Sequence, residues 1–96
     1  MKIVAYTTDG CFYCVKLKEL FARAELEYDA IDVVNVAPWE LDPTRHKNKM
    51  AKPDFEKQYP GVNGFPFVVI NDEPVGALVQ TAKFLLDRGL VSARKG

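Results

Sequence analysis

Apolar positions along the chain fall into short runs separated by turn residues. Lys2-Ile3-Val4-Ala5-Tyr6 is rich in β-branched and aromatic residues and reads as a short buried strand. Thr7-Thr8-Asp9-Gly10 is a turn cluster. From Cys11 to about Glu25 the period becomes helical. Cys14, Leu17, Phe21 and Ala24 share one face, with Leu20 beside them, and Lys16, Glu19 and Arg23 share the other. Glu27 to Val34 alternates in part and reads as a second strand.

Asn35 to Gly61 is punctuated by Pro38, Pro43, Pro53 and Pro60. Thr44 to Ala51 is basic and suits a helix. Lys52-Pro53-Asp54 opens another, with Pro in the first turn and Asp at the positive end of the dipole. That helix is expected to stop near Tyr59, before Pro60-Gly61. Phe67-Val68-Val69-Ile70 is an apolar strand. Asn71-Asp72-Glu73 then reads as a tight turn and Pro74-Val75-Gly76 as a short edge strand. Val79 to Arg88 gives a last amphipathic helix on Val79, Ala82, Phe84, Leu85 and Leu86, with Gly89 as its C-cap. Residues 92–96 are expected to fray. The order β-α-β-α-β-β-α predicts an α/β domain: a four-stranded mixed sheet with helices on both faces.

Composition narrows this further. Ninety-six residues, 48% hydrophobic, fit one domain over 1–96 with a core of its own and exclude intrinsic disorder. Thirteen basic residues balance thirteen acidic ones, so no general electrostatic grip on nucleic acid or an anionic membrane is expected. No run of about 18 apolar residues is present, so no transmembrane helix is expected. MKIVAYTTDG does not read as a signal peptide, and a cytoplasmic monomer is the expectation.

Two cysteines remain, as Cys11-Phe12-Tyr13-Cys14. A disulfide between them closes a tiny loop and is a poor staple. In a reducing compartment such a pair is catalytic or metal-binding. Structural zinc takes four ligands, and only His46 joins the two thiols here, so a metal is not expected. His46 itself reads as a solvated residue. Cys11 follows a strand and a Gly-containing turn and opens a helix. Helix N-termini and Cys-X-X-Cys placement both lower a thiol's pKa. Cys14 lies one turn later and can resolve a mixed disulfide on Cys11. Cys11 is thus expected as the exposed attacker and Cys14 as the buried resolver. Lys16 and Lys18 add positive charge nearby, and Asp9 works slightly against it. Phe12 offers apolar contact surface to a partner protein. Trp39, Phe55 and Tyr59 read as core or edge packing, and the run Arg45 to Lys49 as a solvated face.

Tyr6-Thr7, Cys11-Phe12-Tyr13-Cys14, Phe65-Pro66-Phe67-Val68-Val69-Ile70 and Val75-Gly76-Ala77 together resemble the glutaredoxins. The resemblance covers Lys2 to Val34 and Gly61 to Leu90, while 35–61 is longer than usual and matches poorly. It implies the thioredoxin-like fold and a disulfide oxidoreductase with Cys11 and Cys14 as catalytic residues. It also implies a cis Phe65-Pro66 bond beside Cys11 and glutathione as reductant. The implied glutathione contacts are Phe12, Tyr13, Phe65, Pro66, Gly76, Ala77, Val79 and Gln80, with its γ-glutamyl carboxylate at the start of the last helix. Implied clients are glutathionylated proteins and protein disulfides such as that of ribonucleotide reductase.

The chain departs from the family pattern at four places. Phe12 replaces the usual Pro, Ala77 the second Gly, Val79-Gln80 an acidic pair, and the basic residue usual just before the first Cys is absent, with Thr8 in that region. Three alternatives stand beside this reading: a redoxin reduced by thioredoxin reductase, a carrier of a [2Fe–2S] cluster, or a non-catalytic redox sensor whose disulfide state changes a partner surface.

Overall fold

The computed structural model describes residues 2–42, 44–45, 47–62 and 64–90. Among the described residues nine elements follow one another: β1 (Ile3–Thr7), α1 (Phe12–Arg23), β2 (Asp29–Val34), a 3-10 turn (Pro38–Glu40), β3 (Lys49–Ala51), α2 (Lys52–Gln58), β4 (Phe67–Ile70), β5 (Glu73–Gly76) and α3 (Leu78–Asp87). The sheet order is β3-β2-β1-β4-β5. β1 runs parallel to β2, and β2 to β3, whereas β4 is antiparallel to both β1 and β5.

Alternation along the central strands builds two cores. Ile3 and Ala5 of β1 and Val68 and Ile70 of β4 face α1 and α3, where they meet Leu17, Phe21 and Leu85. Tyr6, Phe67 and Val69 face the other way, toward Val33 and Phe55 of α2. Phe67-Val68-Val69-Ile70 is buried at every position because helices cover both faces of β4.

The expected four strands are five. Lys49-Met50-Ala51, read from sequence as part of a basic helix, is a strand paired with Asp32-Val33-Val34. Three residues give too little pattern to signal a strand. What decides the segment is the open edge of β2, whose backbone groups otherwise face solvent. α2 keeps the expected start, with Asp54 in its first turn and Lys57 in its last.

The core face of α3 also differs from the expectation. Thr81 and Leu85 are buried and Leu78 and Phe84 pack beside them, whereas Val79 is 74% exposed and Leu86 is exposed as well. Thr81 looks polar in sequence, but its hydroxyl donates to the Ala77 carbonyl at 2.8 Å, so burial leaves it satisfied. Arg88 is the cap residue of α3. Gly89, just after it, takes φ +68°, and the Gly89 and Leu90 amides close on Leu86 and Leu85. Trp39, expected as packing, is 86% exposed on the 3-10 turn. The fraying expected of 92–96 and the place of His46 lie outside the described residues. Among the described residues no helix is long and apolar enough to cross a membrane.

Candidate active site

β1 ends at Thr7, and the turn that follows delivers Cys11 to the N-cap of α1. Gly10 makes the turn with φ +70°, a conformation that favours glycine. Cys11 is extended (φ −92°, ψ 107°), and its Sγ accepts the backbone N–H of Cys14 at 3.1 Å. A sulfur thus fills the place that a Ser, Thr or Asp oxygen usually takes at a helix start. No acidic residue sits in the first turn of α1, so nothing there offsets the positive end of its dipole.

A second wall comes from the approach to β4. Cys11 Sγ–H donates to the Phe65 carbonyl at 3.5 Å across 54 residues of chain. The Phe65-Pro66 bond is cis, as the resemblance implies, and Pro66 is fully buried. The Phe65 ring rests on Phe55, with centroids 5.2 Å apart.

The two sulfurs differ in surroundings. Cys11 is partly exposed and Cys14 is buried, and both are free thiols. Burial, with the Cys11 contact adding to it, pushes the Cys14 thiol up to about 12; a hydrogen bond from the Thr8 backbone and the charge of Lys18 oppose this. Both cysteines line an open cleft of about 360 Å³, with Lys18, Asp9 and Asp32 on its walls. Asp32 is held there by the Thr7 hydroxyl, which donates to its Oδ1 at 2.7 Å. Lys16 pairs with Glu19 at 3.4 Å and lies over the Phe12 ring.

The expected site residues fall into two groups. Phe12 lines the cleft with the two thiols, and Phe65 joins through its carbonyl. The Tyr13 ring stands against Phe12, and these rings are 59% and 65% exposed. Gly76, Ala77, Val79 and Gln80 gather at the start of α3, outside that cleft. Gly76 has φ +129°, and a Cβ there meets Gln80 Cβ at 3.0 Å. Gln80 Oε1 accepts the Ala77 N–H at 3.1 Å, so this side chain folds back on its own helix.

Sequence reasoning passed over Asp32, whose signal was one acidic residue inside the apolar run Ile31-Asp32-Val33-Val34. It also placed Phe55 in a packing role without connecting it to Phe65, a link that only the fold reveals. Among the described residues, no three His, Cys, Asp or Glu side chains gather to hold a metal ion.

Comparison with known proteins agrees with this architecture. The glutaredoxin family model matches residues 3–75. Among solved structures, glutaredoxin 1 from Francisella tularensis complexed with cacodylate superposes with a TM-score of 0.60 at 24% identity, over 93% of this chain and 95% of that one. Reduced Escherichia coli glutaredoxin superposes with a TM-score of 0.62 at 20% identity, over 95% and 100%. A buckwheat glutaredoxin–glutathione complex superposes with a TM-score of 0.62 at 19% identity, over 92% and 71%. No curated protein sequence matches the chain.

Proposed function

Because the chain belongs to the glutaredoxin family, we propose that it is a glutathione-dependent thiol–disulfide oxidoreductase working through Cys11 and Cys14. The observation that supports this most is the seat of Cys11 Sγ, between the Cys14 N–H and the Phe65 carbonyl at the mouth of an open cleft. Negative charge on this sulfur meets a backbone donor and the end of a helix dipole, which suits it both as attacker and as leaving group.

The chemistry is two exchanges. The Cys11 thiolate attacks the glutathione sulfur of a mixed disulfide. That S–S bond breaks, the client thiolate leaves and takes a proton, and a Cys11–glutathione disulfide forms. A second glutathione thiolate then attacks the bound glutathione sulfur, releasing glutathione disulfide and restoring Cys11. Alternatively, Cys14 loses its proton and attacks Cys11 Sγ. This expels glutathione and leaves a Cys11–Cys14 disulfide, which two further glutathiones reduce. The raised Cys14 thiol makes this second route wait on proton loss, which favours resolution by glutathione. With protein disulfides Cys11 attacks one client sulfur and the other leaves as a thiolate that takes a proton; Cys14 then attacks Cys11 Sγ, releases the client sulfur held there and leaves a Cys11–Cys14 disulfide for glutathione to reduce.

Phe12, Tyr13, Phe65 and Pro66 are the contacts we propose beside the sulfur, and Gly76, Ala77, Val79 and Gln80 those near the glutamyl end. That glutathione binds at all is supported by the fold shared with the buckwheat glutaredoxin–glutathione complex. The proposal treats 1–96 as one domain. It places the protein in the cytoplasm, where two free thiols persist.

One observation favours reduction by thioredoxin reductase instead. Where an acidic pair would meet glutathione's amino end, the chain has an exposed Val79 and a Gln80 turned onto Ala77. A coupled assay on a small disulfide separates the two. Turnover sustained by glutathione and glutathione reductase supports the proposal, and turnover sustained only by thioredoxin reductase overturns it.

A further inference from the structure

The segment 35–61 leaves a buried aromatic group that the reaction itself does not use. Phe55 of α2 is 2% exposed and touches four rings. Its centroid lies 5.1 Å from Tyr6, 5.7 Å from Tyr59, 5.9 Å from Phe67 and 5.2 Å from Phe65. Tyr59 closes the group against Tyr6 and Phe67 at 5.5 and 5.0 Å. Tyr6 and Phe67 belong to the rigid centre of the sheet, where they are register partners on β1 and β4. Phe65, by contrast, precedes β4 and is only half-buried. Phe65 packs against this cluster, and among the described ring pairs its partner is Phe55. Phe65 also presents the carbonyl that accepts Cys11 Sγ–H.

We propose that Phe55 is a positioning residue for the thiol site: its ring holds Phe65 so that the Phe65 carbonyl faces Cys11 Sγ. The segment between β2 and β4 then has a role beyond filling space. β3 pairs with β2 and leads straight into α2, which seats Phe55 under the loop. Offset and tilted ring pairs of this kind have a preferred geometry and contribute beyond the area that they bury. A leucine at 55 keeps the burial and loses the ring geometry. The inference rests on reading Cys11 as the reactive sulfur, but its test needs neither glutathione nor a client.

The experiment is alkylation of the reduced protein by iodoacetamide near neutral pH, with adducts assigned to Cys11 or Cys14 by peptide mass spectrometry. Phe55→Leu is compared with Phe21→Leu, which makes the same change in the core on the opposite face of the sheet. The Phe65 carbonyl lies 3.5 Å from Cys11 Sγ, so displacing it opens access to the sulfur. Phe55→Leu is expected to speed Cys11 alkylation about threefold with Cys14 still protected, and Phe21→Leu to leave the Cys11 rate unchanged. An unchanged Cys11 rate in Phe55→Leu, an equal rise in both variants, or Cys14 labelled in step with Cys11 overturns the proposal. Phe55→Met is read in the same way should Phe55→Leu fail to fold. If the wild-type protein shows no turnover with glutathione while Phe55→Leu still speeds Cys11 selectively, the functional reading fails and the positioning role stands.

Discussion

The backbone N–H of Cys14 points at the sulfur of Cys11 from 3.1 Å, one turn along the same helix. One cysteine thereby caps the helix that carries the other. The pair is asymmetric by construction: the capping sulfur sits at the cleft mouth, and the second lies beneath it, buried.

Serine at position 11 keeps an oxygen that accepts the same N–H, so Cys11→Ser is expected to change stability by less than about 0.5 kcal/mol. It removes the nucleophile, and turnover with any disulfide is expected to vanish. Cys14→Ser is expected to keep glutathione-dependent deglutathionylation and to lose reduction of protein disulfides. Thermal melts and steady-state assays on both variants check this. Retained activity in Cys11→Ser contradicts the assignment.

Two buried groups set an alkaline limit. In the folded chain Cys14 is pushed by burial from 9.0 to about 12, and Tyr6 by burial and its bond to Tyr59 from 10.0 to about 12. Below pH 9 both states keep these protons and stability is full. Between pH 9 and 12 the unfolded chain releases protons that the folded chain holds, so stability falls as pH rises. The melting temperature of the reduced protein is expected to drop through this window, and less steeply in Cys14→Ala or Tyr6→Phe. Equal slopes in all three proteins would count against buried, protonated groups here.

Glu25 ends α1 in a left-handed conformation, φ +55°, where the Glu25 amide bonds the Ala22 carbonyl and Leu26 the Phe21 carbonyl. Glycine is the usual residue at such a place. Relief of the strain, partly offset by the greater freedom of glycine in the unfolded chain, is expected to make Glu25→Gly about 0.5–1 kcal/mol more stable. A melting temperature about 2–8 °C higher is the readout, and a lower one contradicts the conformation.

Phe12 is 65% exposed beside Cys11 and braced by Tyr13 and Lys16. Phe12→Ala is expected to leave stability within about 0.5 kcal/mol. KM for a protein disulfide is expected to rise several-fold while KM for a small disulfide is unchanged, because only a protein reaches across this surface. An equal rise for both substrates would give the ring a role in the chemistry itself.

What the sequence revealed follows the strength of local signals. The central strands and α1 were legible because β-branched runs and a sustained 3.6-residue period permit one reading. Cys11-Phe12-Tyr13-Cys14 points to the proposed thiol chemistry because a thiol pair opening a helix has few structural uses. β3 was not legible, since three residues of weak pattern become a strand only when β2 offers an edge. The face of α3 was misjudged because Thr81 hides its polarity in a bond to Ala77 that hydropathy does not record. Phe55 read as packing, and so it is. Its contact with Phe65 depends on two segments meeting that are distant from the motif in sequence.

The central claim is that Cys11 attacks the glutathione sulfur of a mixed disulfide. Cys14→Ser, reduced and mixed with a glutathionylated peptide, tests this directly by mass spectrometry of the trapped adduct. Glutathione on Cys11 with free peptide thiol released is the predicted result. Peptide on Cys11 with glutathione released, or no adduct at Cys11, would contradict it.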